Sequence, residues 1–518
     1  MSWQSEVDEL KRRIELAKQM GGPERVERQR AAGRLTVRER IGKLLDWDSF
    51  HEIGALAGKA VYEGDKLVSF TPSNFVVGTG RIDGRRIVVG GDDFTVRGGA
   101  ADGAVGGKAG YGELYAREHR IPIVRLVDGT GGGGSVKTLE TMQRTYVPAN
   151  PAWDVIVALL AEVPVVGVCL GPVAGLGAAR VAASHFSVMV RGTSQLFVAG
   201  PPVVERGVGE AVSKEDLGGS HIHARGSGAV DNEVDTEDEA LAQVRRFLSY
   251  LPSNVWLAPP RSITGDDCNR REEDLLSIIP RDRRLGYDVR RMLALVLDRE
   301  SFFEMGRYYG RPLVTGLGRL NGYPVGIMAA DPHKGGGGLD APASDKMVRF
   351  VDLCDTFNVP VVNFVDQPGF LIGTAAERAG TIRVGVRALA AVYQATVPWV
   401  SIIVRRVFGV AGAGHGNAQG LNERYAWPSG DWGSLPIEGG VQAAYRREIE
   451  AADDPDSFRR EIEEKLNTLR SPFRTAEAFG IEEIIDPRDT RPILCEWVET
   501  AYARLEVGLG PKRRGCRP

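Results

Sequence analysis

Cysteine is scarce in this chain of 518 residues: Cys169, Cys268, Cys354, Cys495 and Cys516 are scattered, odd in number and form no CxxC pair. That spacing excludes a disulfide framework, a zinc ribbon and a thioredoxin-type site, and fits a reducing compartment. A charge excess is missing too. With 65 Lys+Arg against 68 Asp+Glu the formal charge is -3, so no global basic field draws nucleic acid or anionic lipid, and any phosphate-bearing ligand must be held locally. Long apolar runs are absent: the longest, Val163 to Ala179, is bounded by Glu162 and Arg180 and broken by Pro164 and Pro172, a poor membrane span. Residues Met1 to Arg13 alternate charges without an apolar h-region, so no secretory signal is read and a cytoplasmic location is expected. Familiar catalytic strings are lacking as well: there is no GxxxxGK[ST], GxSxG or HExxH, and GGGGSVK at Gly131 to Lys137 lacks phosphate-loop spacing. His221 and His223 are a close histidine pair with no third ligand nearby in sequence, so no metal is expected.

What the chain has in plenty is glycine, 65 residues, clustered after apolar β-type runs where backbone must come close to something. It also repeats itself. LLDWDSFHEIG from Leu44 is echoed by VLDRESFFEMG from Val296, an offset of 252. GRIDGRRIVV from Gly80 is echoed by GRLNGYPVGI from Gly318, Gly98-Gly99 by Gly336-Gly337, and IPIVRLVDGTG from Ile121 by VPVVNFVDQPG from Val359, all at 238. VPVVGVCLGPVAGLGA from Val163 faces VPWVSIIVRRVFGVAG from Val397 at 234. Echoes in one order with small drifts predict two domains of one fold, here 1–260 and 261–518.

Within each half, short Val/Ile runs with little alternation read as strands buried on both faces, each followed by a glycine-rich turn and a helical stretch, an α/β pattern. Strands are expected near Arg86 to Val89, Ile123 to Val127, Val165 to Cys169 and Phe186 to Val190, with a helix over Asp102 to His119. Helical spacing also marks Val7 to Lys43 and Asp456 to Leu469, and the Pro-, Ser- and charge-rich stretch Ser249 to Arg284 reads as the connection.

The strand-turn-helix at Leu170 to Arg180 (LGPVAGLGAAR) and its counterpart at Val404 to Ala413 (VRRVFGVAGA) carry the chemical signal. A buried strand leading through glycine into a helix presents free backbone N–H groups where the helix dipole favours negative charge. One such turn is as readily explained by tight strand-helix packing. Two copies in equivalent places, without an obvious acid-base constellation, suggest catalysis by preorganised amides that stabilise an enolate-like oxyanion.

At this point GRLTVRERIGKLLDWDSF (from Gly33), GDDFTVRGGA (Gly91), GPVAGLGAA (Gly171), FVAGPPVVERGVGEAVSKEDLGG (Phe197), LSYLPSN (Leu248), RFVDLCDTFNVPVVNFVDQPGFLIGTAAERAG (Arg349) and AWPSG (Ala426) make a resemblance over nearly the whole chain. The sequence resembles the carboxyltransferase (β) subunits of biotin-dependent acyl-CoA carboxylases, the propionyl-CoA and methylcrotonyl-CoA carboxylase group. The resemblance implies an α/β fold of two tandem crotonase-like ββα-superhelix domains, the first on the acyl-CoA side and the second on the biotin side. It implies CO2 transfer from carboxybiotin to the α or vinylogous γ carbon of an acyl-CoA. Carried onto this sequence, it assigns the amides of Gly175 and Leu176 to the thioester oxyanion and those of Val410 and Ala411 to the biotin ureido oxygen. It places CoA and acyl contacts at Gly98, Gly99, Gly131, Gly132, Gly218, Gly219 and Ala413, and biotin beside Gly369, Phe370 and Gly409. The family builds each site between the first domain of one protomer and the second domain of its partner, in a homohexamer, a trimer of dimers. No AMKM biotinylation string or ATP-grasp region is present, so the biotin is expected on a partner, a biotin carboxylase or biotin carboxyl carrier subunit.

The sequence departs from the family at points that touch the acyl group. Its glycine-rich pairs are Gly175-Leu176 and Val410-Ala411; Ala413 stands four residues beyond Gly409, where propionyl- and acetyl-specific members carry Asp; DSGGAR is Asp128-Gly129-Thr130-Gly131-Gly132-Gly133; and MGxxGAV is Leu435 to Val441. A non-standard acyl group is the expectation. The alternatives are a decarboxylase α subunit running the half-reaction backwards and a non-catalytic assembly paralogue. A biotin-independent hydratase fits less well, since no Glu acid-base pair is identifiable.

Overall fold

A computed structural model describes residues 2–100, 105–129, 139–140, 142–147, 149–150, 152–421, 423–505 and 507–517. The chain divides into two compact units, Met1–Leu257 with Pro511–Pro518, and Ala258–Gly510. The last eight residues therefore group with the first unit rather than with the half that precedes them. Cys516 is buried, and a Cβ on Gly515 would lie 2.8 Å from that of Ala161, so the tail is packed rather than trailing.

Among the described residues, the first unit's main sheet contains β1 (His51–Ile53), β4 (Phe75–Ile82), β5 (Arg85–Asp92), β6 (Ile123–Val127), β7 (Val165–Cys169), β9 (Phe186–Val190) and β11 (Asn232–Val234), in the order β1-β4-β5-β6-β7-β9-β11. Strands β1, β4 and β5 run antiparallel, and from β5 onward the pairs are parallel. Two small ribbons flank it: β2 (Gly58–Glu63) with β3 (Lys66–Pro72), and β8 (Pro172–Ala174) with β10 (Gln195–Phe197). Every residue of β6, β7 and β9 is buried, which is why these strands read as continuous apolar runs.

The second unit orders β12 (Phe303–Met305), β13 (Leu313–Leu320), β14 (Tyr323–Ala330), β15 (Val361–Gln367), β16 (Trp399–Phe408), β17 (Glu423–Ala426) and β19 (Glu483–Ile484) in that sequence, with β18 (Asp431–Gly433) also on β16. The internal repeat is reproduced down to register. Phe75 pairs Asp92 as Leu313 pairs Ala330, Val88 pairs Ile123 as Gly326 pairs Val361, and Ile123 pairs Val165 as Val361 pairs Trp399. The drift between the 252 and 238 offsets falls where the first unit inserts the β2–β3 hairpin.

The expected strands appear where the sequence places them. The helix expected over 102–119 is described from Lys108 to Glu118, and the N-terminal helical region is three helices, Gln4–Lys18, Pro23–Ala31 and Val37–Leu44. Two breaks account for the division: Gly22 at φ 92° and Gly33 at φ 74° hold backbone conformations that stop a helix. The helix expected at 456–469 runs Pro455–Asn467, capped by the Asp454 carboxylate on Ser457 N–H.

Core packing in the second unit centres on β14 to β16, where Ile327, Val362, Phe364, Val400 and Ile402 are sealed from solvent. Ile327→Ala empties part of this layer, and stability falls by about 2–5 kcal/mol; urea unfolding followed by tryptophan fluorescence reads the loss.

Candidate active site

Glycine turns converge at the carboxyl ends of the parallel strands in each unit, and one buried carboxylate organises each set. In the first unit it is Asp128, directly after β6, with no exposed surface. Its Oδ1 accepts from Arg34 Nη1 at 3.0 Å, and its Oδ2 from Arg40 Nη1 at 2.8 Å and Gln29 Nε2 at 3.2 Å. Arg40 also grips Glu237 through Nε and Nη2, both at 2.7 Å, and donates Nη2 to the carbonyl of Leu170 at 3.1 Å. The N-terminal helices, the ends of β6 and β7, and the helix Glu237–Tyr250 are thereby tied to one point.

Around it there is room only for glycine. A Cβ on Gly171 would lie 1.9 Å from Asp128 Oδ1, one on Gly99 would lie 2.4 Å from Asp128 O, and one on Gly129 would lie 2.6 Å from Gly98 O. The predicted site residues Gly98 and Gly99, both at φ 65°, are thus brought against Asp128 and Gly129. Gly131 and Gly132 fall outside the described residues. Asp92, at the end of β5, accepts the Asp128 N–H at 3.1 Å, and complete burial pushes its carboxyl up to about 7.

The first turn carries one correction. Gly175 has φ 60° and ψ −123°, a conformation open to glycine, and it starts the helix Leu176–Ala182. Its N–H is not free for a ligand: it donates to Phe197 O at 3.1 Å, extending the β8–β10 ribbon. The first bond of the helix is Ala179 N–H to Gly175 O at 3.0 Å, so the amides of Leu176, Gly177 and Ala178 lie outside the helical ladder. Of the expected pair, the Leu176 N–H lies outside the helical ladder, and its side chain is 40% exposed beside the turn. Gly218 and Gly219 are buried, with Cβ positions that would fall 2.3 Å from Leu196 O and from Glu215 Oε1, so they are packing glycines under β10. His223 belongs to the same support, its Nε2 lying 2.8 Å from Leu196 O.

The second unit repeats the plan with different arginines. Asp366, fully buried in β15, receives Arg405 Nε at 3.1 Å and Nη2 at 2.9 Å, and Arg406 Nε at 2.6 Å. Burial alone would raise its carboxyl, yet the bonds and charges of Arg406 and Arg405 hold it below the usual carboxylate range. Arg406 Nη2 also donates to Gly336 O at 2.7 Å, and a Cβ on Gly337 would lie 3.3 Å from Asp366 O, the counterpart of Gly99 on Asp128. Gly409 at φ 60° matches Gly175 and opens the short helix Gly409–Ala413. Val410 is 60% exposed, Ala411 is buried, and Ala413 is exposed with its carbonyl 3.5 Å from the Tyr393 hydroxyl. Behind the turn, His415 Nδ1 lies 2.8 Å from Gly412 O, while the His415 carbonyl accepts from Asn363, Trp399 and Ser401. Gly369, at φ 126°, donates to Gln367 Oε1 at 3.0 Å, and Phe370 packs its ring where a Cβ on Gly385 would sit.

Sequence reasoning missed Phe197, whose carbonyl occupies the Gly175 amide, and the aspartate–arginine clusters. The aspartates stand aligned in the 238-offset echo; their arginines come from unrelated positions and could not be paired from the chain alone.

The carboxyl transferase domain family matches residues 28–515. The chain belongs to this family. It is 36% identical over 499 residues to the propionyl-CoA carboxylase carboxyltransferase subunit of Haloferax mediterranei, covering 95% of each chain. It is 33% identical over 519 residues to the methylmalonyl-CoA decarboxylase subunit alpha of Veillonella parvula, covering 99% of each. Its structure resembles that of transcarboxylase 12S, a hexamer assembly solved with methylmalonyl-coenzyme A and methylmalonic acid bound, with a TM-score of 0.87, 32% identity and coverage of 99% of this chain and 98% of that one. The protein is a carboxyltransferase of the biotin-dependent acyl-CoA carboxylase type, and both units have the crotonase-like α/β fold. No helix among the described residues is long and apolar enough to cross a membrane.

The raised Asp92 carboxyl generates a test. A group whose folded pKa lies above its unfolded value of about 3.9 contributes stability that is fully present below that value and is lost as pH rises through about 7. Asp92→Asn keeps an acceptor for the Asp128 N–H and cannot ionise. Its melting temperature gains on the wild type between about pH 4 and pH 7; scanning calorimetry across that range checks the sign.

Proposed function

We propose that the two glycine turns are the oxyanion sites of the carboxyl transfer, the first holding the thioester oxygen of an acyl-CoA and the second the ureido oxygen of biotin. The observation that carries this is the matched pair of turns, Gly175 and Gly409 both at φ 60°, each opening a helix at the end of a buried parallel strand. Carboxybiotin, presented by a biotin carboxyl carrier or biotin carboxylase partner, supplies the CO2 and the base for the substrate's α-proton. The residues of this chain then have three tasks: to orient the thioester, to stabilise the enolate oxygen while CO2 is captured, and to polarise the ureido carbonyl. Leu176 N–H serves the first oxyanion, joined by a neighbouring amide in place of Gly175, and Val410 and Ala411 N–H serve the second. Gly98 and Gly99 line the acyl-CoA side, whereas Gly218 and Gly219 act from behind, through β10. Gly369, Phe370 and Gly409 bound the biotin side, with Ala413 at the acyl end.

Side chains at Leu176 and Val410 narrow both turns, and Ala413 removes an acidic position, so the acyl group differs from propionyl. The protein works as a homohexamer, a trimer of dimers, in the cytoplasm, where its five cysteines, all free, stay reduced. The Veillonella parvula relative favours a second reading of direction, decarboxylation of a carboxylated acyl-CoA by the same turns.

Leu176→Pro deletes one donor at a helix position that tolerates proline. It lowers kcat by about 10²–10³-fold with the fold intact, read in single-turnover transfer from carboxybiotin; an unchanged rate refutes the first hole. Free-biotin-dependent decarboxylation of malonyl-, methylmalonyl-, methylglutaconyl- and hydroxylated acyl-CoAs turns over one longer or functionalised ester best. Strong preference for methylmalonyl-CoA refutes the non-standard acyl group, and silence across the panel, with no thermal stabilisation by CoA esters, favours an assembly subunit.

A further inference from the structure

The second unit opens a cavity of about 480 Å³ walled by Arg290, Arg307, Tyr308, Arg311, His333 and Lys334, beside the Gly335–Gly337 turn and including no residue of the Gly409 turn. The internal repeat separates what this wall owes to the fold from what it does not. Arg290 is scaffold: it bonds Glu304 at 2.9 Å and Asp331 at 2.9 Å, as Arg38 bonds Glu52 at 2.8 Å in the first unit. The loop that follows β14 is scaffold too, since Asp331 Oδ1 accepts His333 N–H at 3.1 Å as Asp93 Oδ1 accepts Thr95 N–H at 3.0 Å. Backbone bonds fix this alignment, Asp331 N–H to Pro312 O and Asp93 N–H to Asn74 O, both 2.8 Å.

The other basic residues of the wall are not scaffold. Arg307, Arg311, His333 and Lys334 stand where the first unit has Ala55, Ser73, Thr95 and Val96 and builds the same loop without them. The first unit also fills this place with its own chain: Gly21 N–H donates to Thr95 Oγ1 at 2.9 Å, and a Cβ on Gly21 would lie 2.1 Å from Thr95 O. In the second unit Gly286 packs on the His333 ring, and beside it the wall of Arg307, Arg311 and Lys334 is left as a cavity. The side chains of Arg311 and Lys334 have no acceptor among the described residues, Arg307 is 3.8 Å from Glu304, and His333 is 3.8 Å from Asp331. The two acids of the wall are committed, Asp331 to Arg290 and Asp288 to the first amides of the helix Val289–Val296. Two cations without an acidic partner, Arg311 and Lys334, in one concavity raise the energy of the empty site and attract a counter-charge. The volume lies in the range of small-molecule sites.

We propose that this cavity binds a small, multiply charged anion, a phosphate ester or a polycarboxylate, at a site additional to the carboxyl-transfer turns. Arg311 and Arg307 supply paired N–H donors, Lys334 a point charge and Tyr308 an aromatic wall.

Isothermal titration of the full chain with pyrophosphate and with tricarballylate tests this, since the first reports phosphate recognition and the second carboxylate recognition. Saturable binding of at least one probe is expected. It weakens when chloride is raised from about 0.05 M to about 0.2 M, and it falls at least tenfold in Arg311→Ala/Lys334→Ala but not in Arg25→Ala, on a helix of the other unit. Lys334→Gln, which keeps the bulk, repeats the loss in part should the double variant fold poorly by circular dichroism. No saturable binding of either probe, or equal binding by the folded variants and the wild type, overturns the proposal. So does displacement of the probe by CoA together with a raised KM for acyl-CoA in the variants, which would make the cavity part of the substrate site; failure of the oxyanion-turn reading would leave the titration unaffected.

Discussion

A carboxylate with no exposed surface sits at the carboxyl end of a central strand in each unit, and glycines of neighbouring turns pack around it. An ionised group in that position is tolerable only with full pairing, because an uncompensated buried charge costs several kcal/mol. Asp128 obtains its partners from Arg34, Arg40 and Gln29, and Asp366 from Arg405 and Arg406. The two solutions differ in origin and agree in result. In the first unit the arginines arrive from N-terminal helical segments, so those segments are fastened to the site; in the second they come from the neighbouring strand and reach Gly336 as well.

The pairing explains the glycine content better than flexibility does. Positions 99, 129 and 171 have no room for a Cβ because neighbouring backbone, the Phe94 ring and the paired Asp128 and Arg34 side chains are drawn in close. Gly175 and Gly409 are a different case, with open space beside the first and ordinary contact beside the second, and a positive φ that turns the chain from strand to helix. Packing glycines and turning glycines lie side by side, and only the second kind exposes amides. A backbone amide is present whatever the side chain, so Leu176 and Val410 leave an N–H in each turn and change only the shape of the space before it.

The repeat, the order of strands and the places of both turns were legible from the chain because each leaves a local trace: a buried strand is a short apolar run, a tight turn is a glycine, and a duplicated fold repeats both at one offset. The registers of β4, β5, β6 and β7 match those of β13 to β16 as that offset requires. The three-way division of the N-terminal helical region was not anticipated, since two glycines decide it against a continuing helical period. Nor was the docking of residues 511–518 on the first unit, a long-range packing event with no local signature.

Sequence by itself thus determined the fold, the family and the two turns, because hydrophobic periodicity and glycine spacing act on neighbours along the chain. Tertiary structure decided which amides in those turns are free. Gly175 and Leu176 are adjacent and equally plausible as donors, yet Phe197 O lies 3.1 Å from the first and removes it. That carbonyl is brought there by the β8–β10 pairing, and the carbonyl of the preceding Leu196 is backed by the buried Gly218 and by His223. Hydrogen-bond satisfaction is settled between segments remote in sequence, and it becomes visible only when the chain has closed on itself.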